Sequence, residues 1–287
     1  MSQRKTSGVL FFMASRKAIR RQALSIALGA LTLATACGSS APPEPPPFPS
    51  VGVWYRGEPG GKPALDDLAV MRALDFSSVT WPASNSNQLG VITRLADTLH
   101  LAVVTRKAPE PLRFASALNP GAFVDISIAA TPPEAIVSLA WRAVAHGARV
   151  ISFDPGNASG SGLANVDGEM PAWIPAAKSV ARQVSRNAAF IASLQDGPAV
   201  TIDAPTPRDL DVVLREVEHS WLIVATNGSD SAADAVVHLP AAVPYALWIS
   251  MLDGSNLSML AAADGPHWHV QLPPHGAAVY IIDKNLK

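Results

Sequence analysis

The sequence is poor in cysteine and in charged residues. Cys37 is the only cysteine among 287 residues, so no disulfide can form within the chain. Charged residues make up 16% of the sequence and the formal net charge is -1. Proteins that bind nucleic acid usually carry a basic excess, and this balance therefore predicts no nucleic-acid partner.

Long apolar runs are also scarce. The only extended one covers residues 23–36 and follows a basic stretch with Arg16, Lys17, Arg20 and Arg21. A membrane-spanning helix needs about 20 apolar residues, so this run has instead the length of a signal-peptide core. Met13 is an alternative start, because the segment that begins there already holds the complete signal.

The apolar run ends in Leu33-Ala34-Thr35-Ala36-Cys37, with small residues directly before the cysteine. This pattern resembles the lipobox of bacterial lipoproteins. The resemblance implies cleavage of residues 1–36 and acylation of Cys37, and hence membrane attachment through lipid. An ordinary cleavable signal peptide with an incidental cysteine is the alternative.

Residues 37–50 form a proline-rich segment that is expected to stay extended as a tether. Gly38, and not an aspartate, follows the cysteine. By resemblance this favours the outer membrane, with the folded part facing the periplasm or the cell surface.

Residues 51–197 show short apolar runs that alternate with helical patterns. We predict five strands, over Val51–Tyr55, Ser78–Trp81, Leu101–Thr105, Phe123–Ile128 and Val150–Phe153. We predict helices over Ala64–Leu74, Asn87–Leu99, Pro133–His146 and Ile174–Leu194, and leave Pro109–Leu118 ambiguous. Repeated βα units of this kind predict a parallel sheet with helices outside it.

Residues 198–287 change to a period of two. Seven strands are predicted, over Ala199–Ile202, Leu210–Glu216, Ser220–Asn227, Ala235–Leu239, Tyr245–Ser250, His267–Leu272 and Ala277–Ile282. Turn residues such as Asn227-Gly228 and Asp253-Gly254 separate them. The pattern predicts an antiparallel β-sandwich, and the boundary between the two parts falls near Gly197.

The order of these segments is similar to that of glycoside hydrolases of the beta-galactosidase-like type. The segments VWYRGEP (53–59), VTWP (79–82) and LAVVTR (101–106) resemble the opening of their (β/α) barrels. WRAVAHGARVISFDPG (141–156) resembles their last barrel strands, and 220–227, 239–254 and 272–283 resemble their C-terminal sandwich. The resemblance implies a reduced TIM-barrel-like domain that hydrolyses or binds carbohydrate.

The chain departs from that family in two respects. It offers about five barrel strands where a complete barrel has eight. It also lacks the Asn-Glu pair of the fourth strand and a glutamate at the end of a late strand. A non-catalytic carbohydrate-binding lipoprotein and a structural or assembly lipoprotein are therefore alternatives to a hydrolase.

Strand alternation predicts which polar side chains point into the barrel. In the first strand Gly52, Trp54 and Arg56 are expected inside, and Val51, Val53 and Tyr55 outside. The same reasoning places Arg106, Asp125, Ser127, Ser152 and Asp154 inside.

Two carboxylates are needed for glycoside hydrolysis. The best candidate pair is Asp154 with Glu58 or Asp125, while Trp54, Tyr55, Arg56, Trp81 and Arg106 are candidate sugar contacts. The alternative is that these arginines and aspartates neutralise one another and that the tryptophans belong to the core.

The histidines predict no metal site. His267 and His269 share one face of a strand, but no third ligand lies near them in the sequence. His146 precedes Gly147 and is interpreted as a helix cap. We expect neither a metal nor a cofactor.

Replacing Cys37 by serine is expected to abolish acylation, because serine lacks the thiol that carries the acyl chain. Metabolic labelling with a clickable fatty acid, followed by membrane fractionation, measures this. Ser39→Ala is the control and should label like the wild type. Undiminished labelling of Cys37→Ser would contradict the assignment.

Overall fold

Five parallel strands form the first part of the folded chain. The computed structural model describes residues 49–109, 122–156, 162–163, 169–203, 207–244, 247–258 and 267–285, and residues 1–48, with Cys37, lie outside this description. The strands are β1 (Ser50–Trp54), β2 (Ser78–Pro82), β3 (Ala102–Arg106), β4 (Ala122–Ser127) and β5 (Ala148–Asp154). Their presence confirms the predicted parallel α/β part.

Five helices accompany these strands: α1 (Gly61–Ala73), α2 (Leu89–Thr98), α3 (Ile136–Ala145), α4 (Ile174–Arg186) and α5 (Ala188–Ala192). Apolar residues recur at helical spacing and form the buried face of each long helix. In α1 these are Ala64, Leu68 and Met71. None of the helices described is long and apolar enough to cross a bilayer.

The strand order is β3-β2-β1-β5-β4. The steps from β1 to β2, β2 to β3 and β4 to β5 all run in the same direction across the sheet. Because crossover connections are right-handed, these steps place their helices on one face, whereas a doubly wound sheet has helices on both. The order is that of a barrel opened between β3 and β4.

The outer face of this sheet packs on the helices. Val51, Val53 and Tyr55 of β1 lie in the same buried apolar cluster as Leu68 of α1 and Val180 of α4. The predicted alternation of β1 is therefore confirmed.

The inner face is strongly curled around β1. Gly52 lies opposite Ser78 on one side and Ser152 on the other. A Cβ atom at Gly52 would come within 2.4 Å of the Ser78 carbonyl oxygen. The hydroxyls of Thr80 and Ser152 meet at 2.6 Å although β1 lies between their strands. In a flat sheet those strands would be about 9.6 Å apart.

The helix boundaries differ from the prediction at two places. The single predicted helix over Ile174–Leu194 is two helices, interrupted at Asn187, whose side-chain amide donates to the Gln183 carbonyl at 2.8 Å. This local bond offers the backbone an alternative to continuing the helix. The predicted helix over Asn87–Leu99 begins as a 3-10 helix over Ala83–Gln88, and most of the ambiguous segment Pro109–Leu118 lies outside the described residues.

The second part consists of two antiparallel sheets. Its strands are β6 (Gln195–Asp196), β7 (Thr201–Ile202), β8 (Leu210–Val217), β9 (Ser220–Asn227), β10 (Ala233–His238), β11 (Leu247–Ser250), β12 (Asn256–Ser258), β13 (His267–Leu272) and β14 (Ala277–Asp283). One sheet has the order β12-β11-β14-β9-β8-β6 and the other β13-β10-β7. A shared core with Trp221, Trp248 and Trp268 lies between them, as predicted for a sandwich.

The six-stranded sheet also packs on the parallel part through α3. Leu222 and Val224 of β9 belong to the same core as Trp141 of α3. The Arg215 guanidinium donates to the Ala145 carbonyl at 2.6 Å, which satisfies one of the free carbonyls at the end of α3. The middle of the sheet, around β9, is therefore covered on both faces.

Charged groups reinforce this contact. Arg142 and His146, both at the end of α3, each lie 2.8 Å from the Asp211 carboxylate of β8. Burial alone would raise the pKa of Asp211, but the hydrogen bond and charge of His146, together with Arg142, lower it below its usual value. His146 occupies the C-cap position of α3 and Gly147 follows with a φ of 93°, consistent with the predicted cap.

Gly52→Ala is expected to destabilise the protein by about 1–3 kcal/mol, because the added methyl group cannot fit beside the Ser78 carbonyl. Urea unfolding monitored by tryptophan fluorescence measures the change. Gly90→Ala is the control, since its Cβ meets nothing within 4 Å and lies in α2, where alanine should be neutral or stabilising. Equal effects of the two substitutions would refute the steric argument.

Candidate functional site

The polar side chains at the C-terminal ends of the parallel strands meet inside the curled sheet. Alternation predicted that Trp54, Arg106, Asp125 and Asp154 point inward, and the structure brings them into two contact groups. Ligands of barrels bind at this end of the strands, so it is the candidate site.

Asp125 is the centre of the first group. Its carboxylate accepts a hydrogen bond from the Trp54 indole N–H at 2.7 Å and lies 3.6 Å from the Arg106 guanidinium. The side chains of Arg106 and Asp125 are only 12% and 4% exposed. The Arg106 guanidinium also lies over the Phe123 ring, 4.8 Å from its centroid. Since β3 and β4 are the two edges of the sheet, these contacts join one edge to the other.

Asp154 is the centre of the second group. One of its carboxylate oxygens accepts hydrogen bonds from the Arg56 guanidinium at 2.9 Å and from the Gly156 backbone N–H at 3.0 Å. The Asp154 side chain is 9% exposed and that of Arg56 is 32% exposed. Arg56 also lies 5.2 Å from the centroid of the Trp54 ring, so Trp54 touches both groups.

Tyr55 and Trp81 lie on the opposite face of the sheet. Their rings stack 6.0 Å apart within the core beneath the helices, and both side chains are buried. Burial, with a smaller effect of the Asp67 charge, raises the pKa of Tyr55 to about 12. Trp54 faces inward but is also buried. None of the three rings therefore offers a free face to a sugar in this structure.

Glu58 lies in the exposed turn after β1. Its backbone carbonyl accepts a hydrogen bond from the Tyr55 hydroxyl at 3.3 Å. Within the part of the chain that the structure describes, its carboxylate has no ion pair or hydrogen bond and is not joined to Asp125 or Asp154.

Two histidines of the three-stranded sheet pair with aspartates. His238 lies 2.8 Å from Asp203, and His269 pairs with Asp234. Over the described ranges, no three or more His, Cys, Asp or Glu side chains are arranged to hold a metal ion.

A groove between α4 and the six-stranded sheet was not anticipated from the sequence. It is lined by Arg182 and Arg186 of α4 and by residues 249–254 of β11 and the following turn. The only sequence signal for this groove was the apolar Ile249, which the structure shows to be exposed. Alternation assigns Ile249 to a face of its strand, but it cannot show that this face extends past the helices.

No known protein family and no curated protein sequence matches the chain. Among solved structures it is similar to an Anoxybacillus α-amylase, with 12% identity and a TM-score of 0.37 over 53% of this chain and 32% of the amylase. It is similar to a putative α-N-acetylgalactosaminidase from Bacillus halodurans, with 8% identity and a TM-score of 0.38 over 75% of this chain and 62% of the other.

A third similar structure is a glycoside hydrolase family 30 xylanase from Clostridium acetobutylicum, with 14% identity and a TM-score of 0.36 over 81% and 66% of the two chains. The chain thus spans about one third of the amylase and less than two thirds of the other two enzymes. TM-scores at this level support no conclusion about activity.

Arg106→Met is expected to lower the free energy of unfolding by about 3 kcal/mol, because the buried Asp125 carboxylate loses its cation. Adding Asp125→Asn should recover part of this loss, since an amide oxygen still accepts the Trp54 N–H. Urea unfolding of the two single variants and the double variant measures the coupling. Arg94→Met, on the exposed side of α2, is the control. If the change in unfolding free energy of the double variant equals the sum of the changes of the two single variants, the ion pair is contradicted.

Proposed function

We propose that this chain is a lipid-anchored envelope protein whose barrel-like part is a filled, non-catalytic scaffold. The observation that carries the proposal is that both inward carboxylates are occupied by donors of the chain itself. Asp125 is held by Trp54 and Arg106, and Asp154 by Arg56 and the Gly156 N–H.

Hydrolysis of a glycosidic bond places specific demands on such carboxylates. One must protonate the leaving oxygen, and the other must attack the sugar or activate a water molecule. Asp125 and Asp154 are nearly inaccessible and already engaged. Their contacts instead satisfy buried charges inside a curled sheet. The lipobox-like segment and the proline-rich tether support the anchor.

Carbohydrate binding without hydrolysis is the second candidate. It is favoured by the partly exposed Arg56, which lies over Trp54 at the rim and is adjacent to the exposed turn that holds Glu58. A guanidinium and a carboxylate at the strand ends can form hydrogen bonds with sugar hydroxyls.

A panel of chromogenic glycosides tests the main proposal. We expect the wild type to show no turnover above that of the Asp125→Asn and Asp154→Asn variants, while both variants unfold at lower urea concentration than the wild type. Lys107→Gln, an exposed substitution near the same strand ends, is the stability control.

Turnover by the wild type that disappears in Asp154→Asn would overturn the non-catalytic proposal. A sugar that binds without turnover, and binds more weakly to Arg56→Ala, would favour the second candidate over a pure scaffold.

A further inference from the structure

The N-terminal end of β1 and the C-terminal end of α4 lie at the same end of the parallel sheet. Ser50, the first residue of β1, lies beside Val150 of β5. The preceding residue, Arg149, donates from its guanidinium to the Ile191 carbonyl at 3.0 Å. Ile191 belongs to α5, which follows α4 directly. The last turn of α4 therefore lies at the end of the fold to which the tether connects.

The groove of about 560 Å³ borders this last turn. Arg182 and Arg186 lie one helical turn apart on its α4 side, and both are exposed. Arg182 contacts Asp75 at 3.2 Å, and Asp75 shortly precedes β2 at the same end of the sheet. Arg186 forms no ion pair among the described residues. The helix macrodipole alone would favour a cation such as Arg186 at the C-terminal end of α4. It would not explain why apolar side chains are exposed next to that cation.

The opposite side of the groove combines apolar residues, Ile249, Met251, Leu252 and Ile281, with the polar residues Ser250 and Asp253. Leu247 and Ile249 of β11 are 40% and 46% exposed and alternate with the buried Trp248 and Ser250. Ile249 lies beside Ile281 of β14, which packs on the parallel part. The face of the sheet that packs on the helices thus extends past them and remains open at β11.

We propose that the groove face, made of Arg182, Arg186 and Ile249 of the groove and the neighbouring Leu247, contacts anionic lipid headgroups of the membrane that holds Cys37. The inference rests on the lipid anchor of the proposed function. Residues 38–49 separate Cys37 from β1, and an extended proline-rich segment spans about 3.1 Å per residue, or about 37 Å here. The anchor therefore limits the distance between the membrane and the Ser50 end of the fold to at most about this length.

The chemistry of the groove face fits this occupant. Guanidinium groups bind lipid phosphates, and exposed aliphatic side chains enter the boundary between headgroups and acyl chains. Each arginine near an anionic surface strengthens the contact severalfold, so the pair should contribute roughly tenfold or more. Because the attraction is between exposed charges, salt should weaken it.

Hydrogen–deuterium exchange of the acylated chain that begins at Cys37, bound to vesicles, tests the inference. One set of vesicles contains phosphatidylcholine alone, and the other contains phosphatidylcholine with phosphatidylglycerol. On the anionic vesicles we expect roughly tenfold slower exchange in the segments around Arg182 and Ile249, and loss of this protection in high salt.

Arg182→Gln with Arg186→Gln should remove the protection. Lys62→Gln with Lys107→Gln is the matched control, because it removes the same charge from exposed positions at the opposite end of the sheet. Protection that persists without the two arginines, or that is equal on neutral vesicles, would overturn the inference. Failure of the wild type to float with neutral vesicles would instead reject the anchor, so the two failures are distinguishable.

Discussion

The close approach of β1 and β2 at Gly52 is the constraint on which the parallel part depends. With no side chain at this position, the neighbouring strands curl until Thr80 and Ser152 form a hydrogen bond across β1. The five described strands follow the order of an opened barrel. The curl also brings the edge strands near enough for Arg106 to reach Asp125. A larger residue at Gly52 would open the sheet and separate that pair.

The same curl explains why the polar side chains of the inner face contact one another. Among the described residues the parallel sheet has five strands, and small residues, such as Gly52, Ser78 and Ser152, line its middle. The longer side chains, Trp54, Arg56 and Arg106, lie toward the strand ends and cover Asp125 and Asp154. Each buried carboxylate is thereby matched by a guanidinium, as a low-dielectric interior requires.

The sandwich completes the fold by covering the helices of the parallel part. Asp211 collects Arg142 and His146 at the end of α3, while Arg215 satisfies a carbonyl of the same helix. The six-stranded sheet extends beyond this contact and leaves Leu247 and Ile249 exposed, with Ile249 in the groove beside α4. The groove beside α4 is therefore formed jointly by the two parts of the chain.

The sequence by itself determined the order of βα units, the change to antiparallel strands near Gly197 and the side of the sheet on which each strand residue lies. Local periodicity encodes all three, because it depends on neighbours a few residues apart. The tertiary structure alone decided that Arg106 pairs with Asp125, that Trp54 is buried and that β11 extends past the helices. Alternation specifies the face of a side chain but not its partner, which depends on how far the whole sheet curls.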